Sequence, residues 1–104
     1  MDITVTYDEQ KKQIDVMLEG DLDLNSVTDF KRKMDECIEE HKVDLLFDCS
    51  QLRYIDSTGL GVLVSILKKV KEYGCVIRIR QLKPYLFKIF DVTGLTKVFE
   101  IEVA

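Results

Sequence analysis

The stretch Asp56-Ser57-Thr58-Gly59-Leu60 sets a hydroxyl beside a carboxylate, with glycines at 59 and 61 immediately after it. A serine in that setting could be a nucleophile. A near copy, Asp91-Val92-Thr93-Gly94-Leu95, carries valine in place of the serine. Specific chemistries can be tested against the first stretch. A phosphate loop needs G-x-x-x-x-G-K-[ST], and Gly59-Leu60-Gly61 leads to neither that spacing nor the lysine. A dinucleotide fingerprint needs a third glycine where Val64 stands. The extra residue between Asp56 and Gly59 breaks the Asp-Ser/Thr-Gly of an aspartic protease. A serine hydrolase needs a histidine base, and His41, the only histidine, lies in the polar run Glu39-Glu40-His41-Lys42. The run from Asp21 has Arg32 at its twelfth position, where a calcium loop needs glutamate.

Two phosphate chemistries on aspartate remain as weaker alternatives. Asp21 and Asp23 form the D-x-D of aspartyl-phosphate hydrolases, but the chain is short for that fold and supplies no downstream acidic metal site. Asp48 could be the phosphoacceptor of a receiver-like module, with Asp8 and Glu9 as acidic partners. A receiver needs a helix after its first strand, where Gln13–Glu19 alternates with period two. The residues therefore predict no catalytic set, no metal site and no bound cofactor.

The elements that must position Ser57 follow from periodicity. Ile3, Val5 and Tyr7 alternate with polar residues, as do Ile14, Val16 and Leu18, and the polar run Asp8–Lys12 between them predicts a hairpin. Val27, Phe30, Met34, Cys37 and Ile38 fall at helical spacing, with Ser26 and Asp29 resembling a capping box at the start. Val43–Ser50 is a short apolar run that predicts a buried strand ending before the 52–55 crossover. Leu60, Leu63, Leu67 and Val70 define a second helix closed by Gly74. Ile77 and Ile79 alternate with Arg78 and Arg80. Pro84 opens a third helix that stops near Gly94, and Phe99, Ile101 and Val103 alternate with Glu100 and Glu102. The order β-β-α-β-α-β-α-β predicts a single α/β domain over residues 1–104. Its sheet is mixed and mostly parallel, because each strand-helix-strand step favours a right-handed crossover. Strict alternation in the outer strands predicts one wet sheet face, with Arg78, Arg80, Asp15, Glu19, Glu100 and Glu102 on it and the helices on the other.

Within that order the two pentapeptides separate. Gly94 falls at a helix end, where a left-handed residue is expected, and Gly59 falls at a helix start. Asp56 or Ser57 can cap that start, which contributes about 1 kcal/mol. A cap does not account for Gly59 and Gly61, each of which costs roughly 1 kcal/mol against alanine in a helix. Both suit a place where another backbone or a partner comes close, and on that reading alanine at either position leaves stability unchanged or raised.

Composition narrows the partners. The 104 residues carry a net charge of −4, with dispersed lysines and arginines, which excludes a nucleic-acid footprint. The longest apolar run, Leu60–Leu67, is far too short to span ~30 Å of hydrocarbon, so no membrane insertion is expected. Cys37, Cys49 and Cys75 are odd in number and lack C-x-x-C spacing, which predicts reduced, buried thiols and a cytoplasmic location.

The segment VDLLFDCSQLRYIDSTGLGVLVSILKKVKEYG resembles the signature of STAS domains, in particular of the bacterial anti-sigma-factor antagonists. LEGDLDLNSVTDFKRKM resembles the family's second strand, Gly-x-x-Asp turn and first helix, at Gly20 and Asp23. LFKIFDVTGLTKVFEI resembles its third helix and last strand, and the resemblance covers nearly the whole chain. The family commonly continues with a further helix, a departure from this sequence.

The resemblance implies a non-enzymatic switch. The serine matching Ser57 is phosphorylated in the family by an anti-sigma factor that is itself a serine kinase. The unphosphorylated antagonist binds that kinase and frees the sigma factor. Phosphorylation ends binding, and a metal-dependent serine phosphatase restores it. By position, Asp23, Asp56, Ser57, Thr58, Gly59 and Gly61 would form the partner surface, while ATP and Mg²⁺ would belong to the kinase. An alternative within the family is a regulatory subunit of a transporter or lipid-transfer complex.

Overall fold

A computed structural model describes residues 1–104. Strand β1 (Asp2–Asp8) turns back into β2 (Gln13–Leu22) through residues 9–12, where Lys12 takes a left-handed φ of 52°. Helix α1 (Val27–His41), strand β3 (Asp44–Ile55), helix α2 (Ser57–Glu72), strand β4 (Ile77–Leu82), helix α3 (Pro84–Val92), a single 3₁₀ turn (Leu95–Lys97) and strand β5 (Glu100–Val103) follow. The five strands form one sheet in the order β1-β2-β3-β4-β5. Only β1 pairs antiparallel; the other three pairings are parallel.

Because that order never reverses along the chain, right-handed crossovers bring the helices to the same face. A single core of 24 buried residues lies between helices and sheet. Val27, Phe30, Met34 and Ile38 of α1 and Leu60, Leu63, Ile66, Leu67 and Val70 of α2 are its helical side. Phe30 meets Phe47 of β3 with ring centres 6.0 Å apart, and Phe90 of α3 meets Phe99 edge-on at 5.8 Å. No polar or charged side chain is buried in it. The opposite sheet face is wet, as the alternation predicts. Arg78, Arg80, Glu100 and Glu102 are all exposed there. Arg78 pairs with Glu100 at 3.0 Å and Arg80 approaches Glu102 at 3.7 Å across the β4–β5 edge. Exposed pairs of this kind contribute a few tenths of a kcal/mol at most.

The segment after β1 is strand β2, as its alternation predicts, so the first crossover of a receiver does not form. Several other expectations from the sequence are corrected. Strand β3 does not stop at Ser50; it runs to Ile55 and carries two bulges against β2, between the partners of Met17 and Glu19 and between those of Gly20 and Asp21. Each bulge adds one residue to β3 and advances its inward set from Leu45, Phe47 and Cys49 to Leu52 and then Ile55. No capping box forms at α1: Ser26 Oγ instead donates to the Asp21 carbonyl (2.8 Å) and accepts from the Asp23 amide (3.0 Å). Asp29 does sit in the first turn, where it pairs with Arg32 and Lys33. The last strand begins at Glu100, after Phe99, and Val103 is exposed. Of the three free thiols only Cys49 is buried; Cys37 and Cys75 are half-exposed.

Candidate functional site

The site is built where the end of β2 meets the start of α2. Asp56, with extended backbone, is the N-cap of α2. Its Oδ1 accepts from the Gly59 amide at 2.7 Å, satisfying one of the free donors of the first turn. Its Oδ2 accepts from the Leu24 amide at 3.1 Å, on a different segment. Its own amide donates to the Leu22 carbonyl at 3.2 Å. One residue thus ties the helix start to the 22–24 segment through three hydrogen bonds.

The turn that carries Leu24 is itself closed on both sides. Asp23 Oδ1 accepts from the Asn25 amide (3.0 Å), and the Asp23 carbonyl accepts from the Ser26 and Val27 amides (3.0 Å each). Asp23 therefore shapes the loop beside Ser57 while remaining half-exposed. Asp21 approaches Arg53 at 3.4 Å, and Asp48 accepts from the Ser50 amide. Farther along the same rim, the Lys83 ammonium donates to the Ser50 and Leu52 carbonyls (3.0 and 2.9 Å), and the Tyr85 hydroxyl donates to the Arg53 carbonyl. These contacts brace the bulged half of β3 that delivers Asp56.

Ser57 is the first residue of α2 and is exposed, as is Thr58 after it. Exposure alone does not rank the two hydroxyls. Thr93 in the second pentapeptide is engaged: its Oγ1 donates to the Ile89 carbonyl at 2.7 Å and lies 3.1 Å from that of Phe90. Gly94 follows with φ 77°, the left-handed helix stop its position predicts. The two pentapeptides therefore sit at opposite helix ends.

The two glycines of α2 also separate. Gly61 is exposed, and a Cβ built there meets nothing within 4 Å. Gly59 is buried, and its close neighbour is not a partner but the chain's own Leu22: a Cβ would overlap the Leu22 carbonyl oxygen and crowd the Leu22 Cγ. The expectation that alanine is tolerated at Gly59 is corrected by this contact. Gly59 is covered by the chain's own β2 rather than open to the surface.

Sequence reasoning did not single out Leu24. Its side chain is 71% exposed, among the most exposed large apolar residues of the chain, and sits on the loop that Asp56 holds next to Ser57. The signal was present as a leucine in a turn otherwise composed of Asp23, Asn25 and Ser26, residues that turns favour.

The cysteines lie away from this site in chemistry as well as in sequence. Burial pushes the Cys49 thiol up to about 12, with the neighbouring Asp48 charge acting in the same direction. Partial burial raises Cys37 and Cys75 as well. No cluster of three or more His, Cys, Asp or Glu residues is spaced to hold a metal ion. No helix is long and apolar enough to cross a membrane.

A mixed five-stranded sheet covered by helices on one face, with an exposed serine at the start of the helix after its longest strand, defines the class of α/β domain. The STAS domain model matches residues 5–103, and the chain belongs to that family. It is 33% identical over 101 residues to an anti-sigma-B factor antagonist of Bacillus subtilis, covering 97% of this chain and 92% of that one. An anti-sigma-B factor antagonist of Listeria monocytogenes is 28% identical, covering 98% and 90%. Among solved structures, the anti-sigma factor antagonist SpoIIAA superimposes in its unphosphorylated form with a TM-score of 0.78 at 16% identity, covering 99% of this chain and 89% of that one. The phosphorylated form of SpoIIAA, from Bacillus, gives 0.76 at 16% identity, covering 98% and 92%.

Proposed function

We propose that this protein is an anti-sigma-factor antagonist switched by phosphorylation of Ser57. Unphosphorylated, it binds an anti-sigma factor with serine kinase activity and so releases the sigma factor. The kinase brings ATP and Mg²⁺, transfers a phosphoryl group to Ser57 Oγ and loses its grip on the product. A metal-dependent serine phosphatase resets the chain, which catalyses nothing itself in this cycle. The cycle runs in the cytoplasm, where sigma factors act. The observation that carries the proposal is the exposed Ser57 as first residue of α2, beside a cap that is already satisfied by backbone donors.

The physics of the site supports a switch without refolding. A phosphate adds about −1.5 to −2 charges. The amides of a helix start stabilise such an anion, so the fold tolerates it. A partner surface fitted to a neutral hydroxyl beside Asp56 does not, because a buried unpaired charge costs several kcal/mol. A penalty of ~3 kcal/mol weakens binding about a hundredfold. The carbonyl partners of Thr93 and the negative end of α3 disfavour an added phosphate there, which supports Ser57 as the acceptor.

The test is to mix the protein with its cognate kinase and ATP, map the phosphate by peptide mass spectrometry, and titrate binding of wild type, Ser57→Ala and Ser57→Asp. Phosphate on Ser57 alone is expected, with Ser57→Ala bound tightly and Ser57→Asp bound about a hundredfold more weakly. Phosphate on Thr58 or Thr93, or a Ser57→Asp protein that binds like wild type, overturns the proposal.

A further inference from the structure

We infer that Leu24 is the apolar anchor of the partner surface, inserted by the antagonist into an aliphatic-sized pocket beside the partner's phosphoryl-transfer site. The inference rests on the Ser57 switch proposed above and names what the partner must offer next to it. Three observations lead to it. First, Leu24 does nothing for the fold: it is 71% exposed and packs neither in the core nor against it. Second, its backbone is tied in place, because its amide donates to Asp56 Oδ2 and its turn is closed by the Asp23 side chain and carbonyl. A turn whose backbone is already ordered loses little backbone entropy on binding, which favours an apolar side chain presented from it. Third, it is next to Ser57. A single side-chain hydrogen bond links residue 56 to Leu24, so Leu24 and Ser57 lie within a few ångströms to about 10 Å of one another.

That proximity selects the occupant. A kinase that reaches Ser57 Oγ must cover the surface around it, and a stable interface covers about 800 Å² per partner. Leu24 falls inside any such footprint centred on Ser57. An exposed leucine at the centre of an interface is either buried in a pocket or leaves a void, and Leu24 has no packing site on its own core to return to. The partner therefore presents an apolar pocket, and recognition divides into two parts: Leu24 supplies affinity in both phosphorylation states, and Ser57 supplies the switch.

Val92 provides a matched control. It is 73% exposed, equally apolar, and sits in the second pentapeptide at the far end of α3. The experiment measures kinase binding and the kcat and KM for Ser57 phosphorylation with wild type, Leu24→Ala, Leu24→Met and Val92→Ala, each with a thermal melt. Leu24→Ala is expected to keep its Tm, to weaken binding and raise KM about tenfold, and to leave kcat within about twofold. Leu24→Met, similar in volume, is expected to recover most of the affinity. Val92→Ala is expected to behave as wild type. Unchanged affinity in Leu24→Ala, or an equal loss in Val92→Ala, overturns the inference while Ser57 phosphorylation of the wild type leaves the switch standing. Absence of phosphorylation at Ser57 in the wild type removes the switch, and the anchor with it.

Discussion

The Leu22 carbonyl packs directly onto Gly59, so that the last residue of β2 occupies the space in which any other residue at 59 would carry its Cβ. The same carbonyl accepts the Asp56 amide, which locks the contact from the other side. Gly59→Ala must therefore push β2 and α2 apart at the point where both position Ser57. A loss of about 2–3 kcal/mol is expected, in the range of overpacked cores. A denaturant titration checks it. A variant as stable as wild type would show that β2 and α2 can separate without cost.

Gly61, two residues on, gives the opposite expectation. Nothing lies within 4 Å of a Cβ there. Gly61→Ala gains helix propensity of about 1 kcal/mol, which raises Tm by a few degrees in a domain of this size. The added methyl projects from the exposed side of α2 near Ser57, so kinase affinity is expected to fall while stability rises. A melt and a binding titration on one preparation separate the two effects.

How much of this was legible depended on whether the signal was local. The alternation of Ile77-Arg78-Ile79-Arg80 reports a sheet with one wet face because each residue carries its own assignment. The second half of β3 was hidden because two bulges broke that alternation: from Cys49 to Leu52 to Ile55 the inward residues are three apart, a spacing no strand template matches. The place of Ser57 at a helix start, its capping aspartate and the contrast between Gly59 and Gly94 could be read from helix-end chemistry; a switch role for Ser57 rested on the family resemblance alone. What pressed against Gly59 could not, because Leu22 is distant in sequence and no pattern in either segment names the other. Leu24 escaped for a related reason: its significance lies in the Asp56 bond that brings it beside Ser57.

Cys49 makes stability depend on pH in the alkaline range. Its thiol ionises near 9 when the chain is unfolded and near 12 in the folded protein, because the anion would be buried beside Asp48. The folded state thus holds a proton that the unfolded state has released. Stability is full below pH 9 and falls as pH rises toward 12, by about 1.4 kcal/mol per pH unit for this group. The raised thiols of Cys37 and Cys75 act in the same direction. Urea unfolding between pH 8 and 11 should show the decline, and Cys49→Ala should flatten it. The buried thiol should also resist alkylation in the native protein. Rapid labelling of Cys49, or an unchanged pH slope in the alanine variant, would count against the assignment.

Asp56 is the residue whose loss should connect fold to function most directly. Its two carboxylate oxygens accept from Gly59 and Leu24, so it is at once a helix cap and the tie that holds the Leu24 turn. Asp56→Asn can still cap α2 with its carbonyl oxygen, but its amide group meets the Leu24 N–H donor to donor. The cap survives and the tie is lost. Asp56→Ala loses both. Stability is expected to fall by about 1 kcal/mol in the asparagine variant and by about 2 kcal/mol in the alanine variant. Hydrogen exchange resolves the two bonds separately: the Leu24 amide should exchange faster in both variants, the Gly59 amide only in the alanine one. Kinase affinity should follow the Leu24 amide rather than global stability, since a loosened turn must be ordered again on binding. An asparagine variant with a fast-exchanging Leu24 amide and wild-type affinity would show that the partner does not depend on how this turn is held.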